Sequence, residues 1–120
     1  MNDREVKIQK LKGYFEKRED VVMAFLFGSQ AEGRAHSGSD WDIGVYFKPE
    51  VAQVEWEELG REYPNENLVW SDCADILQTD RIDLVVLNRA PANISDAAIR
   101  GIPLALKDQS LWLRFMLIIT

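Results

Sequence analysis

Apolar residues at the start of the chain recur at helical spacing. Ile8, Leu11 and Phe15 fall on one face of a helix over residues 3–18, with Asn2 or Asp3 placed to cap its first amides. The pattern then changes to a continuous apolar run, Val21 to Phe27 (VVMAFLF). Its length and β-branched start suit a buried central strand ending at Gly28. The segment GSQAEGRAHSGSD, rich in glycine and serine, reads as a functional turn region. From Asp40 to Phe47, DWDIGVYF alternates, with Asp40, Asp42, Gly44 and Tyr46 on one face and Trp41, Ile43, Val45 and Phe47 on the other.

Pro49 fits the first position of a helix, and Val51, Glu55, Trp56, Leu59 and Tyr63 continue a helical spacing until Pro64. Within residues 65–80, Val69, Cys73, Ile76 and Leu77 favour a second helix, although LVW also suits an extended run. Ile82 to Leu87 (IDLVVL) reads as another buried strand. A loop over 89–93 follows, then a short helix capped by Ser95 and closed by a left-handed Gly101. Ile102 to Leu106 reads as a fourth strand and QSLWLRFMLIIT as a terminal helix. These elements predict an α/β fold. A mixed sheet of about four strands (21–27, 40–47, 82–87, 102–106) is backed by helices in a single domain over residues 1–120.

The 120 residues suffice for one core, burying roughly 60 to 70% of the unfolded chain's surface. Twenty acidic against fourteen basic residues give a net charge of −6, which disfavours a nucleic acid as the main partner. Lys7, Lys10 and Lys12 sit among Asp3, Glu5 and Glu16 and read as a solvated helix face. Cys73, the only cysteine, permits neither an intramolecular disulfide nor a cysteine zinc cage and reads as a small buried hydrophobe. The N-terminal MNDREVKIQK lacks the apolar core of a secretory signal, and the run 21–27 is too short to span a bilayer. A cytoplasmic protein is expected.

The candidate chemistry lies in G-S-x10-D-x-D, formed by Gly28, Ser29, Asp40 and Asp42. Glycine allows a tight turn at a strand end, and a helix starting at Ser29 leaves amide hydrogens free for an anion such as a triphosphate. Two carboxylates two residues apart on a strand share a face, with α-carbons about 7 Å apart. They match the one or two protein carboxylates that magnesium takes alongside phosphates and water. Asp83, opening IDLVVL, joins them if its strand lies beside theirs. There it would accept the proton of an acceptor hydroxyl or ligate a second ion.

These residues resemble the DNA polymerase β nucleotidyltransferase superfamily and, within it, the minimal nucleotidyltransferase (MNT) branch. The resemblance covers nearly the whole chain. It rests on GSQAEGRAHSGSDWDIGVYF and on the later carboxylate within RIDLVVLN. It implies the nucleotidyltransferase fold, ATP as nucleotide held at Gly28 and Ser29, and two Mg²⁺ ions facing Asp40, Asp42 and Asp83. Arg34 lies where this branch often carries a basic residue near the triphosphate, although a free surface arginine reads equally well. The branch pairs with HEPN proteins in toxin–antitoxin modules, the MNT member acting as antitoxin by moving AMP onto a tyrosine of the toxin ribonuclease.

Other readings remain. Ser29 to Glu32 also spells a capping box needing no ligand. His36 stands without a second imidazole and reads as a loop residue, while Trp41, between the aspartates, points to the opposite face and packs the core. The acceptor could instead be a small hydroxylated molecule such as an aminoglycoside, or the chain could bind its partner without transfer. From Leu111 to Ile119 only Arg114 is polar, more apolar than one buried face requires. Part of that helix, with Trp112 or Met116 as outward members, is expected to meet a partner or a second copy.

Overall fold

The computed structural model describes residues 2–35, 38–50, 53–58 and 60–120. His36, Val51 and Leu59 lie outside them.

Helix α1 (Asp3–Lys17) begins as its sequence requires: the Asn2 side chain accepts a hydrogen bond from the Glu5 amide, and Ile8, Leu11 and Phe15 are its buried stripe. Strand β1 (Val21–Phe27) and the short helix α2 (Gly28–Glu32) follow without an intervening loop. Strand β2 (Trp41–Phe47), helix α3 (Glu66–Leu77), strand β3 (Ile82–Val86), helix α4 (Ala92–Ile99), strand β4 (Ile102–Leu106) and helix α5 (Gln109–Ile119) complete the chain. LVW is helical, within α3.

The four strands form one sheet in the order β3-β2-β1-β4. β1 pairs antiparallel with both β2 and β4, and β2 pairs parallel with β3. The apolar run is therefore interior to the sheet and buried on both faces. One face carries Leu26, Ile43 and Val45 against Leu11, Phe15, Val69 and Leu77 of α1 and α3. The other carries Met23, Phe25 and Tyr46 against Ala98, Leu111 and Phe115 of α4 and α5. The alternation in β2 is borne out: Trp41, Ile43, Val45 and Phe47 enter the first core, Tyr46 the second. Cys73 is buried in the first core, and burial pushes its thiol up to about 12.

The helix expected after Pro49 does not form in the described residues. Glu55, assigned to a helical stripe, is instead the buried hub of a polar cluster. The Asn88 amide donates to Glu55 Oε1 at 2.8 Å and the Tyr63 hydroxyl to the same oxygen at 3.0 Å. Arg61 Nη1 lies 2.7 Å from Glu55 Oε2, angled as a charge contact rather than a hydrogen bond. The Tyr46 hydroxyl donates to the Glu55 carbonyl and accepts from the Glu55 amide, each at 2.7 Å. A helix would commit that backbone to itself. The folded chain uses it to fasten the segment to the sheet.

Ser95 caps no helix. It is buried inside α4, which begins at Ala92 after Pro91, whose carbonyl accepts from the Ile94 and Ser95 amides. Gly101 is not left-handed either. Its small size matters because an added Cβ would meet the Leu26 carbonyl oxygen at 2.2 Å.

Candidate active site

The candidate residues gather where β1 ends and β2 begins. Antiparallel pairing sets Phe27 opposite Asp42, so the next residue, Gly28, turns directly over the Asp42 side chain. Gly28 has φ +71°, and a Cβ there would lie 2.1 Å from Asp42 Oδ2 and 3.1 Å from its Cγ. Glycine is required twice over: by the left-handed backbone and by the space the carboxylate fills. Helix α2 starts at Gly28 and ends at Gly33, left-handed at φ +72° with open space around it. No side chain caps α2 at its start, and Glu32 pairs with Arg34, so the capping box read from Ser29 and Glu32 is not made.

The parallel pairing of β2 with β3 places Asp83 in register with Asp42. Register partners share a face, about 4.8 Å apart across the strands. Asp40 precedes β2 by one residue, two positions from Asp42. Asp40 and Asp83 are exposed, and Asp42 is half-buried. Burial, then the Asp83 charge, then that of Asp40, hold the Asp42 carboxyl above its ordinary pKa. Among the described residues no three carboxylate, histidine or cysteine groups are closed around one point. The aspartates are near enough to repel one another and open enough for a cation to draw them in. Hard oxygen donors on one face, crowded beneath a glycine that leaves them room, fit a divalent cation such as magnesium.

Arg34 is exposed and engaged by Glu32 at the surface, and its charge is not among those that act on Asp42. Trp41 is 6% exposed, on the face opposite the aspartates.

Two contributions escaped the sequence reading. Arg4 reaches from α1 to α2, its Nε donating to the Gln30 carbonyl at 2.7 Å and its Nη2 to the Ala31 carbonyl at 3.1 Å. It holds the last turn of the helix that carries Ser29. Arg81 donates to the Gly38 carbonyl at 3.2 Å and its own carbonyl accepts from the Trp41 amide at 2.9 Å, tying the Asp40 approach to β3. Arg4, Lys7 and Arg81 share a cleft behind α2, which brings positive charge near the 28–40 segment. Nothing in local periodicity links position 4 to position 30.

The family model described as polymerase beta, nucleotidyltransferase matches residues 9–110. No curated protein matches the chain. Several solved structures share its fold. One is a toxin–antitoxin complex with AMP-PNP, 24% identical at TM-score 0.65, aligned over 98% of this chain and 84% of that one. Another is the tri-AMPylated Shewanella oneidensis HEPN toxin with its MNT antitoxin, 19% identical at TM-score 0.63, over 97% and 82%. A third is a mutant form of the toxin–antitoxin pair MntA–HpeT, 25% identical at TM-score 0.63, over 99% and 83%.

Proposed function

The chain belongs to the polymerase beta nucleotidyltransferase family, and from that premise we propose that it is an MNT-type antitoxin that transfers AMP from ATP to a hydroxyl of a HEPN toxin. The observation that carries the reading is the placement of Asp42 in register with Asp83 and beneath Gly28, whose missing side chain leaves room for the Asp42 carboxylate. Toxin–antitoxin pairs among the structural neighbours, one holding AMP-PNP and one an AMPylated toxin, support the choice of nucleotide and acceptor.

In this reading residues 1–120 act as one catalytic domain, in the cytoplasm. Among the described residues no helix is long and apolar enough to cross a membrane. Gly28 and Ser29 receive the triphosphate at the start of α2, and Arg34, paired with Glu32 at the surface, would offer a counter-charge. Asp40 and Asp42 with Asp83 would hold two Mg²⁺ ions, which would supply charge neutralisation for the phosphates. Asp83, the more exposed member of the in-register pair, faces the acceptor. The acceptor oxygen bonds to the α-phosphorus, the bond to the β-phosphate breaks, pyrophosphate leaves and the hydroxyl proton passes to the Asp83 carboxylate.

The test is label transfer with magnesium and a HEPN toxin. Label in the α-phosphate of ATP should appear on the toxin and γ-label should leave as pyrophosphate. Inactivation of the toxin without labelling would replace transfer by binding alone. Label on an aminoglycoside and none on the toxin would replace the acceptor.

A further inference from the structure

We propose that the acceptor protein docks as an extended segment added to the free edge of β3, which carries its hydroxyl to Asp83. This rests on the transfer reading above and names how the same site holds its macromolecular substrate.

The hydrogen-bond phase of β3 follows from two contacts: the Trp41 amide donates to the Arg81 carbonyl and the Leu87 amide to the Val45 carbonyl. In a parallel ladder these fix the odd-numbered residues of β3 toward β2 and turn the backbone groups of Ile82, Leu84 and Val86 outward. Ile82 is satisfied, its amide by the Asp80 carbonyl and its carbonyl by the Trp70 indole. The Val86 carbonyl accepts from the Arg89 and Ala90 amides. The Leu84 amide and carbonyl, on a half-buried residue, remain without a partner among the described residues; the Val86 amide, also unpartnered, belongs to a residue only 2% exposed. The Leu84 donor and acceptor point the same way from one residue, the pair of groups an added strand engages.

This edge borders a groove of about 530 Å³ that starts at Asp83 and runs past Leu84 and Val86 to Arg89, Pro91 and Ile94. Ile94 is an exposed large apolar residue on its far wall. The other edge strand, β4, is protected: it contains Pro103 and packs against α1. The β3 edge, Ile-Asp-Leu-Val-Val, has neither proline nor lysine. An apolar edge with unpaired backbone groups is an aggregation hazard unless a partner uses it, and here its one charge is the carboxylate assigned to the acceptor. A segment lying along β3 would pass Asp83 at fixed register, so backbone pairing supplies affinity and position selects the hydroxyl.

The probe is a synthetic peptide, about ten residues of alternating valine and threonine with one tyrosine near an end, and its two counterparts N-methylated at alternate amides in either phase. With magnesium and α-labelled ATP, the plain peptide should be labelled. N-methylation in one phase should raise its KM roughly tenfold or more, and in the other phase much less. Leu84→Pro removes an outward amide while sparing the ladder to β2. In this variant the advantage of the plain peptide should vanish. If circular dichroism shows that Leu84→Pro does not fold, Ile94→Glu on the groove wall should raise the KM of the plain peptide instead. Equal KM values for all three peptides, or an advantage that survives both variants, would overturn the proposal, as would bound ATP with no labelling of the plain peptide. A dimer that Leu84→Pro dissolves would also overturn it, by giving the edge to a second copy. Failure to bind ATP with magnesium would strike the transfer reading instead.

Discussion

Replacing Gly28 by alanine tests the site at the point where backbone and carboxylate meet. Gly28 and Gly33 bracket α2 with nearly equal φ, +71° and +72°, but only Gly28 faces an obstacle, Asp42 Oδ2 at 2.1 Å. An alanine in the left-handed region costs about 1–2 kcal/mol wherever it is placed. At about 2.1 cal/mol/K of unfolding entropy per residue over 120 residues, that lowers Tm by roughly 4–8 °C. Gly33→Ala should show this loss and keep its activity. Gly28→Ala should show at least the same loss and also push the Asp42 carboxylate aside. A displacement of about 1 Å at a reacting site costs on the order of 10²-fold in kcat/KM. The pair of variants separates strain from misplacement, and Asp42→Ala completes the cycle. With the carboxylate gone, adding Gly28→Ala should cost no more stability than Gly33→Ala and no further activity. The assays are thermal melting and labelled AMP transfer on the same samples. Activity of Gly28→Ala within about threefold of wild type, or losses that simply add in the double variant, would refute the geometry.

Asp42→Asn should abolish transfer and raise the Tm of the metal-free protein at pH 7. A carboxyl whose folded pKa is raised favours folding while protonated, so its contribution is present in acid and is lost as pH rises through the folded pKa. The gap between variant and wild type should therefore close as pH falls toward the ordinary carboxylate value of about 4, and magnesium should stabilise wild type more than the variant. Scanning calorimetry that finds the variant less stable at pH 7 without metal would contradict the crowding of the aspartates. Asp83→Asn should lower turnover by about 10²-fold or more while changing ATP affinity less than Asp42→Asn. Equal losses of affinity by titration calorimetry would move Asp83 to the nucleotide side. On α5, Leu117 is 68% exposed beside the exposed Leu113 and Ile118. If α5 pairs with a second copy, Leu117→Glu should shift sedimentation toward monomer and leave ATP binding intact, and a monomeric wild type would end that idea.

Much of this molecule was legible in local order. Helical spacing placed α1, apolar runs placed β1 and β3, and alternation put Asp42 on one face of β2, with Asp40 two positions before it, and Trp41 on the other, because these periods follow from backbone geometry alone. The order of Gly-Ser and Asp-x-Asp likewise marks the candidate site by local order alone. What the sequence could not decide rests on residues far apart in the chain. Asp83 lies beside Asp42 only because β3 pairs parallel with β2, and Gly28 faces the Asp42 carboxylate only because Phe27 pairs with Asp42. The segment after Pro49 had a helical pattern, yet Glu55 is drawn into the Asn88, Tyr63 and Arg61 cluster, where tertiary hydrogen bonds outweigh a weak local preference. On α5 every position but one from Leu111 to Ile119 is apolar, so no pattern could say which side faces outward. Packing of Leu111, Phe115 and Ile119 against the sheet and α4 leaves Trp112 and Met116 half-buried and turns Leu113, Leu117 and Ile118 to the surface instead. Periodicity records which residues prefer burial; only the assembled sheet decides against what, since the partners arrive from dozens of residues away.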